Sequence, residues 1–541
     1  MTKPIHAGRA IVESLERHGV RRVYSVPGES FLAVLDGLHG SKIHNVICRQ
    51  EGGAAYMAEA HGKLTGIPGV ALVTRGPGAS NAFVAVHAAW QDATPLVLLV
   101  GLVPVSDRMR ESFQEFDPYG WFGTQTKRVF VLDEPSRASE VIAEAFFAAH
   151  SGRPGPVVVG LPEDVIAAPF TGHMHDPIPV TEGAVSHTDL DDLDAHLRVA
   201  QRPLILIGGE RWTSDSAATV TAFAERNGIP IVQEWHAADR VPTSSPSLVG
   251  QLAFGGPPHA ARMLDDADVL ISVGTVPGDV VTGGYTLRQQ SNAVNILVTI
   301  DSSLRGRSGT VTSHILASPN AFACAVADLN LDRKEEWQQW TVTGRTEFEA
   351  QRAELLGGSN GTGARMTTVM RAINERTHGV LKTLGAGNHT AWAQMLPVNS
   401  YPSELATRNG SMGYSIPAAV VASLEHPTRT VIAVAGDGEF LMNGQELATA
   451  AQHGAAFLIT VLDNGQYGTI RSHQESRFPG RVSGTQLVNP DFAALARAYG
   501  GHGETVRDSD EAVPAVERAL KAVADGRFAL IHVYDPGVLL P

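Results

Sequence analysis

The sequence predicts an α/β protein of three doubly wound parallel-sheet domains, and three observations carry that expectation. Short apolar, β-branched runs alternate along most of the chain with Ala-, Leu- and Glu-rich stretches of helical length. Two breaks, 169–188 rich in Pro and Gly and 356–364 rich in Gly, interrupt the alternation. The blocks on either side of the middle one share a single plan of strand, glycine-rich turn, helix and strand.

Each run has a physical reason to be a strand. Val70–Thr74, Leu96–Val100 and Val157–Gly160 are continuous apolar stretches, as are Leu204–Ile207, Val269–Val273, Asn295–Ile300, Val431–Ala435 and Phe457–Leu462. Strands apolar on both faces belong to parallel sheets covered by helices on both sides. The breaks read as linkers, and a charged helix is expected from Arg333 to about Leu356 before the second one. The expected domains are therefore 1–168, 185–335 and 365–541.

Composition excludes several classes of function. The 541 residues suffice for three or four domains at about 150 residues each. Hydrophobic residues at 43% and charged residues at 18% are an ordinary globular balance, against disorder or coiled coil. A net charge of −14 without a basic cluster excludes a nucleic-acid footprint or a polybasic membrane patch. Cys48 and Cys324 are the only cysteines, so no disulfide scaffold or cysteine-rich metal site is expected. No apolar run approaches a membrane span, and the opening residues Met1 to His6 lack a secretory apolar region. A cytoplasmic protein is the expectation.

The last block carries the strongest motif. An apolar strand ends at Gly436-Asp437-Gly438, a helix is expected from about Asn443, and a second strand ends at Asp463-Asn464-Gly465-Gln466-Tyr467-Gly468. In a parallel βαβ unit both strand ends lie on one edge, the crevice where open α/β sheets bind ligands. Asp437 and Asn464 can therefore converge. A carboxylate, a side-chain amide oxygen and a loop carbonyl are the hard oxygen donors that Mg²⁺ prefers. The glycines admit phosphate groups, and a helix start adds N–H donors. Gly436-Asp437-Gly438 alone is more often an ordinary turn; the second strand and Asn464 lift it above that reading.

The first block places Glu51 at a strand end before a helix. A lone glutamate there usually serves the helix dipole. The next unit, Thr74-Arg75-Gly76-Pro77-Gly78-Ala79-Ser80-Asn81, is again strand, glycine turn and helix.

Gly436-Asp437-Gly438 with Asn464 resembles the binding motif of thiamine-diphosphate enzymes. Pro27-Gly28, Glu51, Gly76 to Asn81, Phe113-Gln114-Glu115 and Ser151 to Pro156 extend the resemblance to the acetolactate synthase and benzoylformate decarboxylase-like group. It covers nearly the whole chain. It implies pyrimidine-binding, central Rossmann-like and diphosphate-binding domains, with Mg²⁺ held by Asp437, Asn464 and the main-chain oxygen of Gln466. The motif usually ends Asn-Asn; here Asp463 precedes the retained Asn464.

The same resemblance implies the roles of the other site residues. Thiamine diphosphate must lose its C2 proton, and a carboxylate on the pyrimidine ring promotes that loss; Glu51 matches that position. Met412 in Asn409-Gly410-Ser411-Met412-Gly413 matches the bulky residue over which the cofactor folds. Gly387-Asn388-His389 resembles the diphosphate-contacting loop. Pro27, Gly28, Gly410, Gly436, Gly438, Glu439, Gly468 and Thr469 complete the implied cofactor contacts. In relatives Glu51 and the metal motif come from neighbouring subunits, so a homodimer or homotetramer is implied.

The implied reaction decarboxylates a small 2-oxo acid such as pyruvate and ligates the product to a carbonyl acceptor. Gln114 matches a synthase glutamine near the acceptor, and His473 stands where synthases have tryptophan. Val276 to Val280 replaces the family's arginine-bearing middle segment, and with it a natural partner for a substrate carboxylate. Arg75 and Glu29 are further departures, at positions usually Ser and Gly. His87 reads as a packing residue. Gly208-Gly209-Glu210 is an incomplete dinucleotide motif, so the reading without FAD is favoured over one with it. Two alternatives stay open: a C–C lyase, hydrolase or simple 2-oxo acid decarboxylase on the same cofactor, and a non-catalytic cofactor-binding subunit.

Overall fold

The computed structural model describes residues 5–254, 256–288, 293–307, 309–331, 334–357 and 363–538. Much of the glycine-rich break at 356–364 thus lies outside the described residues. The described strands form three sheets of six. The chain divides into two compact units, one holding residues 1–180, 383–390 and 407–539, the other 181–382, 391–406 and 540–541.

The first sheet comprises β1 (Arg22–Ser25), β2 (His44–Ile47), β3 (Gly69–Thr74), β4 (Leu96–Leu102), β5 (Arg128–Val131) and β6 (Pro156–Pro162). Their order is β2-β1-β3-β4-β6-β5, parallel throughout. β4 and β6 are buried along their whole length, as continuous apolar runs in mid-sheet should be. Ile11 and Leu15 of the helix Ala7–Arg17 pack with Val97, Leu99 and Val159 on one face.

The central sheet comprises β7 (Pro203–Ile207), β8 (Ile231–Glu234), β9 (Leu248–Leu252), β10 (Val269–Val273), β11 (Val294–Val298) and β12 (Ser313–Ile315). Its order, β12-β11-β10-β7-β8-β9, is the doubly wound Rossmann arrangement. Phe223, Trp337 and Ile271 lie in the core on one face, and Leu206, Val232 and Met263 in the core on the other. The charged helix runs Glu335–Gly357.

The third sheet comprises β13 (Leu381–Leu384), β14 (Glu404–Leu405), β15 (Val431–Gly436), β16 (Leu458–Asp463), β17 (His502–Val506) and β18 (Ala529–Tyr534). Its order, β14-β13-β15-β16-β18-β17, repeats that of the first sheet strand for strand. Both sheets therefore reverse direction of winding between their first and third strands. A crevice opens outside the carboxyl ends of strands at such a reversal. Pro27 and Gly76 follow the two strands of that pair in the first sheet, and Gly387 and Asp437 follow those in the third.

One local expectation is corrected. The helix after β15 begins at once, as Asp437–Asn443, and continues through a 3-10 turn, Gly444–Glu446, into a helix Leu447–His453. Asp437 thus occupies the first helical turn rather than a free loop. A carboxylate there is favoured by the dipole and by the unpaired N–H groups.

Candidate active site

Asp437 and Asn464 come together as their strand ends demand. Asp437 is 3% exposed. Its Oδ1 accepts the Gly438 N–H at 2.8 Å and its Oδ2 accepts the Gly465 N–H at 2.9 Å. Gly465 adopts a φ of 70°, a turn that glycine makes without steric cost. Asn464 Oδ1 accepts the Gln466 N–H at 3.1 Å, while its Nδ2 donates to the Val538 carbonyl at 2.7 Å. Burial, with the neighbouring Asp463 charge, pushes the Asp437 carboxyl up to about 6. A buried carboxylate beside an amide oxygen fits a hard divalent cation, which would supply the missing positive charge.

Asn489 was not legible as part of this site. Its Nδ2 donates to Asp437 Oδ2 at 2.7 Å and to Asp463 Oδ1 at 2.8 Å. Asp463 in turn pairs with His532 Nε2 at 2.8 Å, and that partner lowers its pKa against the effect of burial. The atypical aspartate of the motif is therefore held by a histidine 69 residues onward.

The loop after β13 meets the same edge. His389 is buried, and its Nε2 has no hydrogen-bond partner. Its ring lies so close to Gly436 that a Cβ there would stand 2.8 Å from Nδ1. Burial pushes the imidazole down to about 3, so it is neutral at any working pH. Asn388 Oδ1 accepts the Thr469 hydroxyl at 2.8 Å, joining this loop to the start of the helix Gly468–Arg477. A buried, unpartnered imidazole nitrogen beside a glycine-lined helix start fits a diphosphate.

The Met412 loop is held from four directions. The Arg408 N–H donates to Asp92 at 2.7 Å, and Asn409 Nδ2 meets His87 Nδ1 at 3.1 Å, which gives His87 a bonding role beyond packing. The Gly413 N–H donates to Glu439 at 3.0 Å, and the Tyr414 hydroxyl donates to the buried Glu59 at 2.6 Å. Glu439 also takes the Ser415 N–H and hydroxyl, and burial pushes its carboxyl up to about 7. These Glu439 hydrogen bonds run to this loop and to the start of the helix Ser415–Glu425, so its visible work is positioning. Gly410 and Met412 are partly exposed.

Glu51 opens the helix Glu51–Thr65 immediately beyond β2. Its Oε2 accepts Asn81 Nδ2 at 2.8 Å. Gly78 leaves the space beside it, since a Cβ there would lie 3.6 Å from Oε1. The buried Glu446 accepts the N–H groups of Arg49 and Gln50, each at 3.1 Å. It thereby ties the residues preceding Glu51 to the turn that follows the Asp437 helix.

Family models identify both halves of this arrangement. The thiamine pyrophosphate enzyme N-terminal TPP binding domain matches residues 5–121, the central domain 190–326 and the C-terminal TPP binding domain 385–533. The chain belongs to the thiamine pyrophosphate enzymes. It is 30% identical to the acetolactate synthase isozyme 2 large subunit of Escherichia coli (strain K12) over 530 residues, 97% of this chain and 94% of that one. It is 31% identical to the acetolactate synthase large subunit of Lactococcus lactis subsp. lactis (strain IL1403) over 518 residues, 92% of this chain and 88% of that one.

Against this thiamine pyrophosphate enzyme background the variable pocket residues fall in different places. Arg75 is buried, with Nη2 2.8 Å from Glu163 and Nη1 3.4 Å from Glu29. The Gln114 carbonyl accepts the Gly76 N–H at 3.0 Å, next to Arg75. Pro27 and Gly28 approach the same strand end, where a Cβ on Gly28 would meet Thr74 at 2.4 Å. His473 is exposed on the helix Gly468–Arg477. In the central unit, the backbone after β7 runs hard against its neighbours, so that only glycine fits at 208. A Cβ on Gly208 would stand 2.2 Å from Thr275 and 2.7 Å from Glu234, and Arg240 Nη2 donates to the Gly209 carbonyl at 3.2 Å. Among the described residues no helix is long and apolar enough to cross a membrane.

Proposed function

We propose that this protein is a thiamine-diphosphate- and Mg²⁺-dependent carboligase of the acetolactate synthase type. It decarboxylates a small 2-oxo acid and joins the product to a carbonyl acceptor. The observation that carries the reading is the convergence of Asp437, Asn464 and His389 at one sheet edge, with Glu51 retained at the matching edge of the first sheet.

Thiamine diphosphate, when bound, supplies an acidic C2–H and an electron sink for the bond next to the substrate carbonyl. The chain's residues bind, orient and move protons around it. Asp437, Asn464 and the Gln466 carbonyl hold Mg²⁺. His389, with Gly436 and Gly438, would hold the diphosphate. Glu51 shares a proton with the pyrimidine ring through Oε1, its other oxygen being held by Asn81. Met412, anchored through Arg408, Asn409, Gly413 and Tyr414, keeps the cofactor folded. Gln114 and His473 are the residues assigned to the substrate side. The reading without FAD is kept, because Gly208-Gly209-Glu210 is an incomplete dinucleotide motif.

The working domains are 1–168, 185–335 and 365–541. The active assembly is a homodimer or a homotetramer in the cytoplasm, with no nucleic-acid or membrane partner. The deciding experiment is NMR product analysis of the protein with Mg²⁺, thiamine diphosphate and pyruvate, with and without an aldehyde. Acetolactate or a mixed acyloin supports the reading. Unchanged pyruvate with intact C2–H exchange would redirect it to a different donor.

A further inference from the structure

Beside the first sheet lies a cavity of about 670 Å³ bordered by Arg75, Arg108, Glu115 and the already assigned Gln114. Three observations mark it as a built site. First, eight non-glycine residues among those described have positive φ, and four of them, Arg75, Met109, Glu111 and Gln114, line this cavity. Strain of this kind persists where the surroundings impose it and gathers at functional sites.

Second, both arginines are buried or half-buried and incompletely satisfied. Arg75 is 8% exposed and its Nε has no partner; Arg108 pairs with Asp133 at 2.7 Å, and its Nη2 has none. The weak link is the contact of Arg75 with Glu29, which is 3.4 Å long and made by a side chain 62% exposed. The other acids lining the cavity are committed or solvated. Glu115 accepts the N–H groups of Met109, Arg110 and Ser112, Asp117 accepts that of Tyr119 at 2.9 Å, and Glu111 is exposed.

Third, one helix serves both places: Arg75 begins the helix Arg75–Asp92, and Gly78, one turn on, lies against Glu51.

We propose that Arg75, supported by Arg108, is the receptor for a substrate carboxylate, and that Glu29 is the exposed carboxylate which that substrate displaces. A planar guanidinium suits a carboxylate better than any other side chain. The middle segment Val276 to Val280 carries no such cation. A 2-oxo acid reaches this edge only on the carboligase reading, on which the assignment of the ligand rests.

The test uses the full chain with Mg²⁺ and thiamine diphosphate and two unreactive probes, N-methyloxamate and its uncharged twin N-methyloxamide. Saturation-transfer NMR on the N-methyl signal reads binding. Arg75→Ser should weaken N-methyloxamate at least about tenfold, the scale of a lost charge-assisted hydrogen bond, and leave N-methyloxamide unchanged. Arg75→Lys should recover part of the loss, and Glu29→Gln should tighten N-methyloxamate. Equal binding of N-methyloxamate by wild type and a folded Arg75→Ser overturns the proposal, as does no binding by wild type. If Arg75→Ser does not fold, the exposed Glu29→Gln decides, and weaker binding in that variant overturns it. Arg75-dependent binding without product from pyruvate would fail the carboligase reading while leaving the receptor standing.

Discussion

Asn489 Nδ2 donates to Asp437 Oδ2 at 2.7 Å, and the same nitrogen reaches Asp463 at 2.8 Å. One amide thus bridges two carboxylates that would otherwise repel each other. Asn489→Ala should raise the Mg²⁺ concentration needed for half-maximal thiamine diphosphate binding by about tenfold or more, as for a lost bond to a charged group. Quenching of tryptophan fluorescence during titration reads this directly; an unchanged Mg²⁺ requirement would remove Asn489 from the site.

Asp437→Ala and Glu51→Gln should separate binding from activation. The first removes the buried carboxylate and should abolish Mg²⁺-dependent cofactor binding. The second keeps shape and the Asn81 contact but loses the exchangeable charge. It should bind cofactor normally and turn over at least about a hundredfold more slowly, the usual contribution of a positioned acid–base group. Equal C2–H exchange in wild type and Glu51→Gln would sink the activation role.

Glu446 takes two backbone N–H groups just before Glu51 and the Thr449 hydroxyl at 2.5 Å. Glu446→Ala leaves those donors without this acceptor, the Thr449 hydroxyl among them buried. A loss of about 2 kcal/mol or more in stability is expected, seen as a lower unfolding midpoint, together with a lower turnover number. Glu446→Gln should restore part of both. A midpoint equal to wild type in the alanine variant would show that water replaces the carboxylate.

His389 sets a pH dependence whose sign follows from burial. Its folded pKa is pushed down to about 3 from 6.5. Below 6.5 the unfolded chain binds a proton that the folded one refuses, so this residue makes stability fall as pH drops from 6.5 toward 3. The expected cost is about 2 kcal/mol at pH 5. Denaturant unfolding of wild type and His389→Gln at pH 7 and pH 5 measures the difference. Parallel losses in the two proteins would show that His389 is not responsible.

The chain's own order of residues determined a good deal. Val269–Val273 is a strand to the residue, because five apolar side chains in a row suit only a position covered on both faces. Asp437 and Asn464 could be read from short motifs at strand ends, where local sequence and chemistry coincide, whereas Glu51 and Gly387 were reached only through the family resemblance. The helix start at Asp437 was not legible, since Gly436-Asp437-Gly438 reads locally as a turn and only packing behind β15 makes it helical.

Tertiary structure alone decided which distant residues meet those motifs. Asn489, His532 and Glu446 carry no signature, because a single amide, imidazole or carboxylate gains its role only from the strand order that brings it near. The shared order of the first and third sheets places Pro27 beside Gly76 and Gly387 beside Asp437, a consequence of parallel pairing across the sheet rather than of spacing along the chain. The joining of Arg75 to Glu29, 46 residues apart, is of the same kind. Both departures from the family pattern stand in the sequence; that their side chains meet follows from β1 pairing with β3.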